Sequence, residues 1–277
     1  MNAASLPYTV LLLLIEMAVG GLAVMTVFDA RRAVTPGYVK AGALTVFPLA
    51  VLALWTWTSL GRADMLDGYA IAARWYRPAG AGIALFAVVS AAHALAALAE
   101  RHRFAVRLGA AGSAAGVVSL MLLAALLAPP AWSYAGLLLS LLASAMVLGT
   151  GLMSMLWGHW YLTSGRLPKE PMEQMALLLV GALAVQVVLV LAGALLPARE
   201  VPLSEGALGL PLGRNPAFWL RVGVGLVFPV GVSYLAWRAA TIRGMMSATG
   251  LLYIALGAIL AGEALARGLL FSTGAAV

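Results

Sequence analysis

The stretch MSATGLLYIALGAILAGEALARGLLF, residues 246–271, decides how the rest of the chain is read. It is apolar and longer than the roughly 20 residues needed to cross a bilayer. It nevertheless carries Glu263 and Arg267 in its final turns. With the acid four residues ahead of the base, both side chains share one helical face and can pair. A charge inside a membrane helix costs at least ~2.5 kcal/mol on insertion scales, so such a pair faces protein or a water-filled cavity. The remaining apolar runs are therefore read as the bundle into which this pair points.

Composition agrees with that reading. Of the 277 residues, 63% are hydrophobic and 10% charged, and mean hydropathy is +1.00. A soluble domain carries about 25% charged residues. The chain reads as an all-α integral membrane protein, one polytopic domain over residues 1–277 with about eight transmembrane helices. The expected spans are 8–28, 38–60, 79–99, 108–128, 134–157, 173–196, 217–237 and 246–271. The longest connectors, 61–78 and 197–215, have room for no more than a short interfacial helix. In the first of them Arg74, Trp75, Tyr76 and Arg77 suit a stretch lying at headgroup level. The first span lacks a basic leader and contains Glu16, so it is expected to be retained and not cleaved as a signal.

The net charge of +7 comes from basic residues placed singly or in pairs between apolar runs. That is the pattern of topogenic charge, not of a nucleic-acid-binding face. Basic residues such as Arg31, Arg32, Arg101, Arg103, Arg166 and Lys169, in the loops after odd-numbered spans, outnumber those on the other side, where Arg199 lies. Those loops are expected in the cytoplasm, with both termini outside. The absence of cysteine removes disulfides, thiolate metal sites and cysteine-ligated iron–sulfur clusters. No Walker loop, GxSxG elbow or HExxH pair occurs, and no span carries a voltage-sensor arginine ladder. Spans two and seven echo each other in Val46-Phe47-Pro48 and Val227-Phe228-Pro229, too short a match to mark a repeat. Both prolines predict a kink or local unwinding.

Two groups of polar residues stand out. Glu16, Glu263, Arg267 and Arg221 come from three spans and fall at similar depth toward the same membrane face. Two acids and two arginines neutralise one another, which makes burial tolerable. They read as the catalytic candidates, for a proton path or for the polar head of an amphipathic ligand, with Gln186 lining the same cavity. An ion-paired packing core is the alternative.

The second group lies toward the opposite face. His93 is in span three, His102 in the loop after it, and His159 at the end of span five beside Trp157, Trp160 and Tyr161. Aromatic residues at a span end form an interfacial belt. Imidazole can also hydrogen-bond a quinone carbonyl or carry a proton, so His159, Trp160, Tyr161 and His93 are the cofactor-binding candidates. A haem b held by His93 and His159 needs both at one depth, whereas they differ by roughly 10 Å of helix rise.

Eight spans, external termini, no cysteine and a last span reading Gly262-Glu263-Ala264-Leu265-Ala266-Arg267-Gly268-Leu269-Leu270-Phe271 resemble the membrane-anchor subunits of the NrfD, polysulfide reductase and DMSO reductase group. Ser272 stands where that pattern would have a second aromatic residue. The resemblance implies a subunit of a prokaryotic inner membrane complex. It would bind quinone or menaquinone and exchange electrons with iron–sulfur or cytochrome partner subunits. On that resemblance Glu263 and Arg267 are the positions carried over. Two other readings stay open: a proton- or ion-coupled transporter, and a membrane b-type cytochrome.

Overall fold

The structure is a computed structural model that describes residues 5–62, 64–66, 69–128, 133–164, 167–195 and 212–277. Among the described residues, eight helices are long and apolar enough to span a membrane, and every expected span is present. They are α1 (Leu6–Ala30), α2 (Pro36–Ser59), α3 (Tyr76–Leu98), α4 (His102–Leu127), α5 (Tyr134–Ser164) and α6 (Glu170–Leu195), followed by a composite seventh span and a long last one. The seventh comprises α7 (Pro216–Val222), a π-helical stretch (Gly223–Val227) and α8 (Phe228–Thr241); α9 (Met245–Thr273) closes the chain. Two starts are set by local chemistry. Thr35 Oγ1 accepts from Tyr38 N at 3.4 Å ahead of Pro36, and Asn215 Oδ1 accepts from Ala217 N at 3.0 Å ahead of Pro216. A side-chain cap followed by proline satisfies one free amide and removes another.

The outward faces are apolar, as lipid requires and water would not. Val88 and Leu95 on α3 and Val188 and Leu191 on α6 are each more than half exposed. Three of the connectors on one membrane face repeat a single device. After α1, α3 and α8 the chain turns through Arg32, Glu100 and Arg243, all with positive φ. In each turn the following amide reaches back five residues: Ala33 N to Phe28 O, Arg101 N to Ala96 O, and Gly244 N to Ala239 O. These are Schellman closures that satisfy the last carbonyls of each helix. We call this the short-turn face.

The opposite face carries a β-hairpin, Met65–Leu66 paired antiparallel with Tyr69–Ala70, then a 3-10 turn at Ala73–Trp75. Of the stretch expected at headgroup level, Arg74 and Trp75 lie in the 3-10 turn, and Tyr76 and Arg77 begin α3. The hairpin is pinned by Tyr69, whose hydroxyl donates to Leu127 O at 2.6 Å. Burial raises the Tyr69 phenol far above its ordinary range, so it remains a donor. We call this the hairpin face. The expectation for residues 197–211, and the basic residues Arg166 and Arg199, lie outside the described residues.

The spans close into two rings of four. In the first, α1 packs on α2 and α4, and α3 bridges α2 and α4. In the second, α5 packs on α6 and α9, and α8 bridges α6 and α9. The leading helices, α1 and α5, join the rings. They approach to backbone contact where Gly20 meets Gly149. A Cβ at Gly20 would overlap the Ala145 carbonyl, and one at Gly149 would overlap the backbone of Gly20 and Gly21. Glycine pairs allow this spacing in membrane helices. The Val-Phe-Pro echo falls in the second span of one ring and the third of the other, so it does not mark equivalent positions.

Candidate functional site: a sealed charge cluster in the second ring

All four spans of the second ring send a polar side chain into its interior: Ser144 from α5, Gln186 from α6, Arg221 from α7, and Glu263 with Arg267 from α9. The first ring contributes Glu16 from α1. Each of the six is at most 3% exposed. Two carboxylates and two guanidinium groups make the set formally neutral. Neutrality matters because stranding one buried charge costs about 3–5 kcal/mol.

Glu263 is held from three sides. Arg221 Nη2 lies 3.0 Å from its Oε1, Gln186 Nε2 donates to the same oxygen at 2.6 Å, and Arg267 Nη2 reaches Oε2 at 3.4 Å. Arg267 Nη2 also donates to Ser144 Oγ at 2.6 Å and lies 2.8 Å from Glu16 Oε1. The Glu16 contact is close but misaligned, so both Glu16 oxygens lack a hydrogen-bond donor, as Gln186 Oε1 does. Arg221 Nε and Arg267 Nε likewise lack acceptors. The cluster therefore keeps unspent acceptors and unspent donors side by side.

A proline shapes the Arg221 end. Pro229 has no amide to give the carbonyl four residues back, which belongs to Gly225. That carbonyl instead accepts from Arg221 Nη1 at 3.4 Å. The ladder adjusts by widening: Phe228 N reaches Gly223 O, five residues back. Gly225 then meets Gly262 backbone to backbone, with Arg221 alongside both. The unwinding expected at Pro229 is present, whereas α2 continues through Pro48.

Toward the hairpin face the cluster is covered by aromatic rings. Phe271, one turn beyond Arg267, packs edge-on against Tyr8 at 6.2 Å and Tyr69 at 5.4 Å between centroids. Toward the short-turn face lie Leu179, Leu183, Leu252 and Ile259, all fully buried.

The histidine group disperses. His93 is buried in the first ring with Nδ1 2.9 Å from Ala105 O and Nε2 unpartnered. His159 faces outward on α5, its Nδ1 3.3 Å from the Tyr253 hydroxyl. Trp160 donates to Thr35 Oγ1 at 3.0 Å, while Tyr161 is half-buried against the main core. These positions lend the haem reading no support, and no group of three or more metal-ligating side chains occurs among the described residues. Ser144 escaped the sequence reading, because a lone serine in an apolar helix ordinarily bonds its own backbone. No family model, curated protein or solved structure matches the chain.

Proposed function

We propose that this protein is the quinone-reactive membrane anchor of a multisubunit oxidoreductase, with the cluster around Glu263 as its proton-handling centre. The observation that carries the reading is a neutral, buried set of two acids and two arginines that still has unspent donors and acceptors. Intramembrane ionisable groups are expensive, so their presence points to function. The chemistry of the set would suit the proposed ligand: Arg221 Nε and Arg267 Nε are unspent donors of the kind a quinone carbonyl accepts from, and Glu16 Oε2, the oxygen away from Arg267, is open to a proton.

A bound quinol would supply two electrons and two protons. Glu263 would take up one proton and Glu16 the other, Arg221 and Arg267 would balance the charge of the acids once they release them, and Gln186 and Ser144 would hold Glu263 in place. Electrons would pass to an iron–sulfur or cytochrome partner, since the chain has no cysteine to ligate a cluster. The setting would be a prokaryotic inner membrane with both termini outside. His159 beside Tyr253 is a rival quinone contact nearer the short-turn face. The second reading, a proton- or ion-coupled transporter, draws on the π stretch beside Arg221, a break of the kind found at coupling sites in transporter helices.

Purification of the native complex in mild detergent, followed by a visible spectrum and subunit identification, separates the two. Co-purifying iron–sulfur or cytochrome subunits support the anchor, and a lone colourless chain active in liposomes supports transport. Within the anchor reading, Glu263→Gln should lower quinol-linked turnover at least about tenfold, a general acid–base contribution of about 10²–10⁴ reduced by partial compensation from Glu16. Assembly should be retained. Unchanged turnover would remove the carboxylate from the mechanism.

A further inference from the structure

The short-turn face carries a concavity remote from the charge cluster. It has a volume of about 500 Å³ and is lined by Arg32, Arg101, His102, Arg103 and Phe104. Two of the Schellman turns build it. Arg32 is itself the positive-φ residue of the α1–α2 turn, and Arg101 follows the positive-φ Glu100 of the α3–α4 turn. His102 stitches the turns together, with Nε2 3.2 Å from the Asp29 carbonyl and 3.3 Å from its carboxylate. The two turns are thus held together independently of any ligand.

Positive charge dominates this concavity, where three arginines outnumber the one nearby carboxylate that acts on Arg32, that of Asp29. Among the described residues, none of Arg32, Arg101 and Arg103 has an ion-pair partner. The nearby acids are already engaged, Asp29 with His102 and Glu100 with Lys40 at 2.6 Å. The Lys40 ammonium holds the Glu100 carboxyl below its usual range, so that pair stays ionised. The concavity also lies at the N-terminus of the 26-residue helix α4, which has no side-chain cap and contributes its own positive end. Phe104 in the lining is 58% exposed, and Leu95, one turn before the end of α3, is 68% exposed.

From these features we propose that the concavity is a binding site for the phosphate headgroup of an anionic membrane lipid. Guanidinium groups bind phosphate oxygens through paired N–H donors. The position is where a lipid phosphate lies, at the end of the hydrocarbon layer marked by the exposed apolar flank of α3. Phe104 and Leu95 would lie against the upper acyl chains while the arginines hold the phosphate. A lipid seated here would tie the α1–α2 and α3–α4 turns together from outside, as His102 does from within.

The test uses the full chain in nanodiscs of phosphatidylcholine with and without phosphatidylglycerol, read by thermal unfolding and by native mass spectrometry of retained lipid. Phosphatidylglycerol should be retained selectively and raise the unfolding temperature. Arg101→Gln and Arg103→Gln should each weaken retention about fivefold, the share of one arginine near an anionic surface. The paired control Arg238→Gln/Arg243→Gln, elsewhere on the same face, should leave it unchanged. Equal loss in the control would overturn the site in favour of diffuse surface attraction. Equal stabilisation by inorganic phosphate would overturn the lipid in favour of a soluble anion. Should a variant fail to fold, the wild-type comparison of the two lipids decides alone, and no preference for phosphatidylglycerol would end the proposal.

Discussion

Arg267 is the residue on which the buried charges turn, because its Nη2 meets Glu16, Glu263 and Ser144 at once. Arg267→Met should therefore strand carboxylate charge and lower stability by about 3–5 kcal/mol, measured by thermal unfolding in mild detergent. Adding Glu16→Gln should recover part of that loss, since Glu16, the acid left without an arginine while Glu263 keeps Arg221, is then neutral. A double variant no more stable than the single one would mean that Glu16 and Arg267 do not interact energetically. The acids and arginines were legible in the sequence because a charge inside an apolar run is conspicuous. Glu263 and Arg267 were also legible as a pair, from their spacing. Their alternate partners were not, because contacts between Glu16 and α9 depend on which helices become neighbours. Ser144 carried no signal separating it from Ser140 or Ser154 on the same helix.

At the scale of elements, the seventh span couples a backbone irregularity to a charge. Pro229→Ala would restore an amide that competes with Arg221 for the Gly225 carbonyl. The expected outcome is regular α-helix through Gly223–Val227, with loss of a charged hydrogen bond worth about 1.5–3 kcal/mol. Quinol-linked turnover, or transport in liposomes, should fall together with stability. Normal behaviour of both would show that the π stretch has no part in placing Arg221. The spans were readable from hydropathy because lipid demands continuous apolar runs and internally bonded backbone. The short β-hairpin was not. Its strands are two residues each, too short for alternation to register, and it is fixed by the tertiary contact of Tyr69 with Leu127.

For the whole molecule, the two rings are each closed by contacts between their own first and last spans. Chains divided in the connector between α4 and α5 and co-expressed should therefore reassemble through the α1–α5 seam. Co-purification of the two fragments measures this, and Gly149→Val, which places bulk against the backbone of Gly20, should abolish it. Recovery of the fragments only as separate species would mean that the covalent link is what holds the rings together. This pairing of rings left no trace in the sequence, since equivalent spans share only their apolar character.

Glu16 belongs by sequence to the first ring and by contact to the second, and that division has a temporal side. The ribosome delivers α1 to the membrane first and α9 last, so the carboxylate enters the bilayer long before the guanidinium of Arg267 exists. Until α9 follows, the nascent protein carries an acid that lipid disfavours. Only a chain that has reached α9 can quench it. A product that stops short of α9 would keep that acid unpaired, so the ion pair records that the first and last described spans have met.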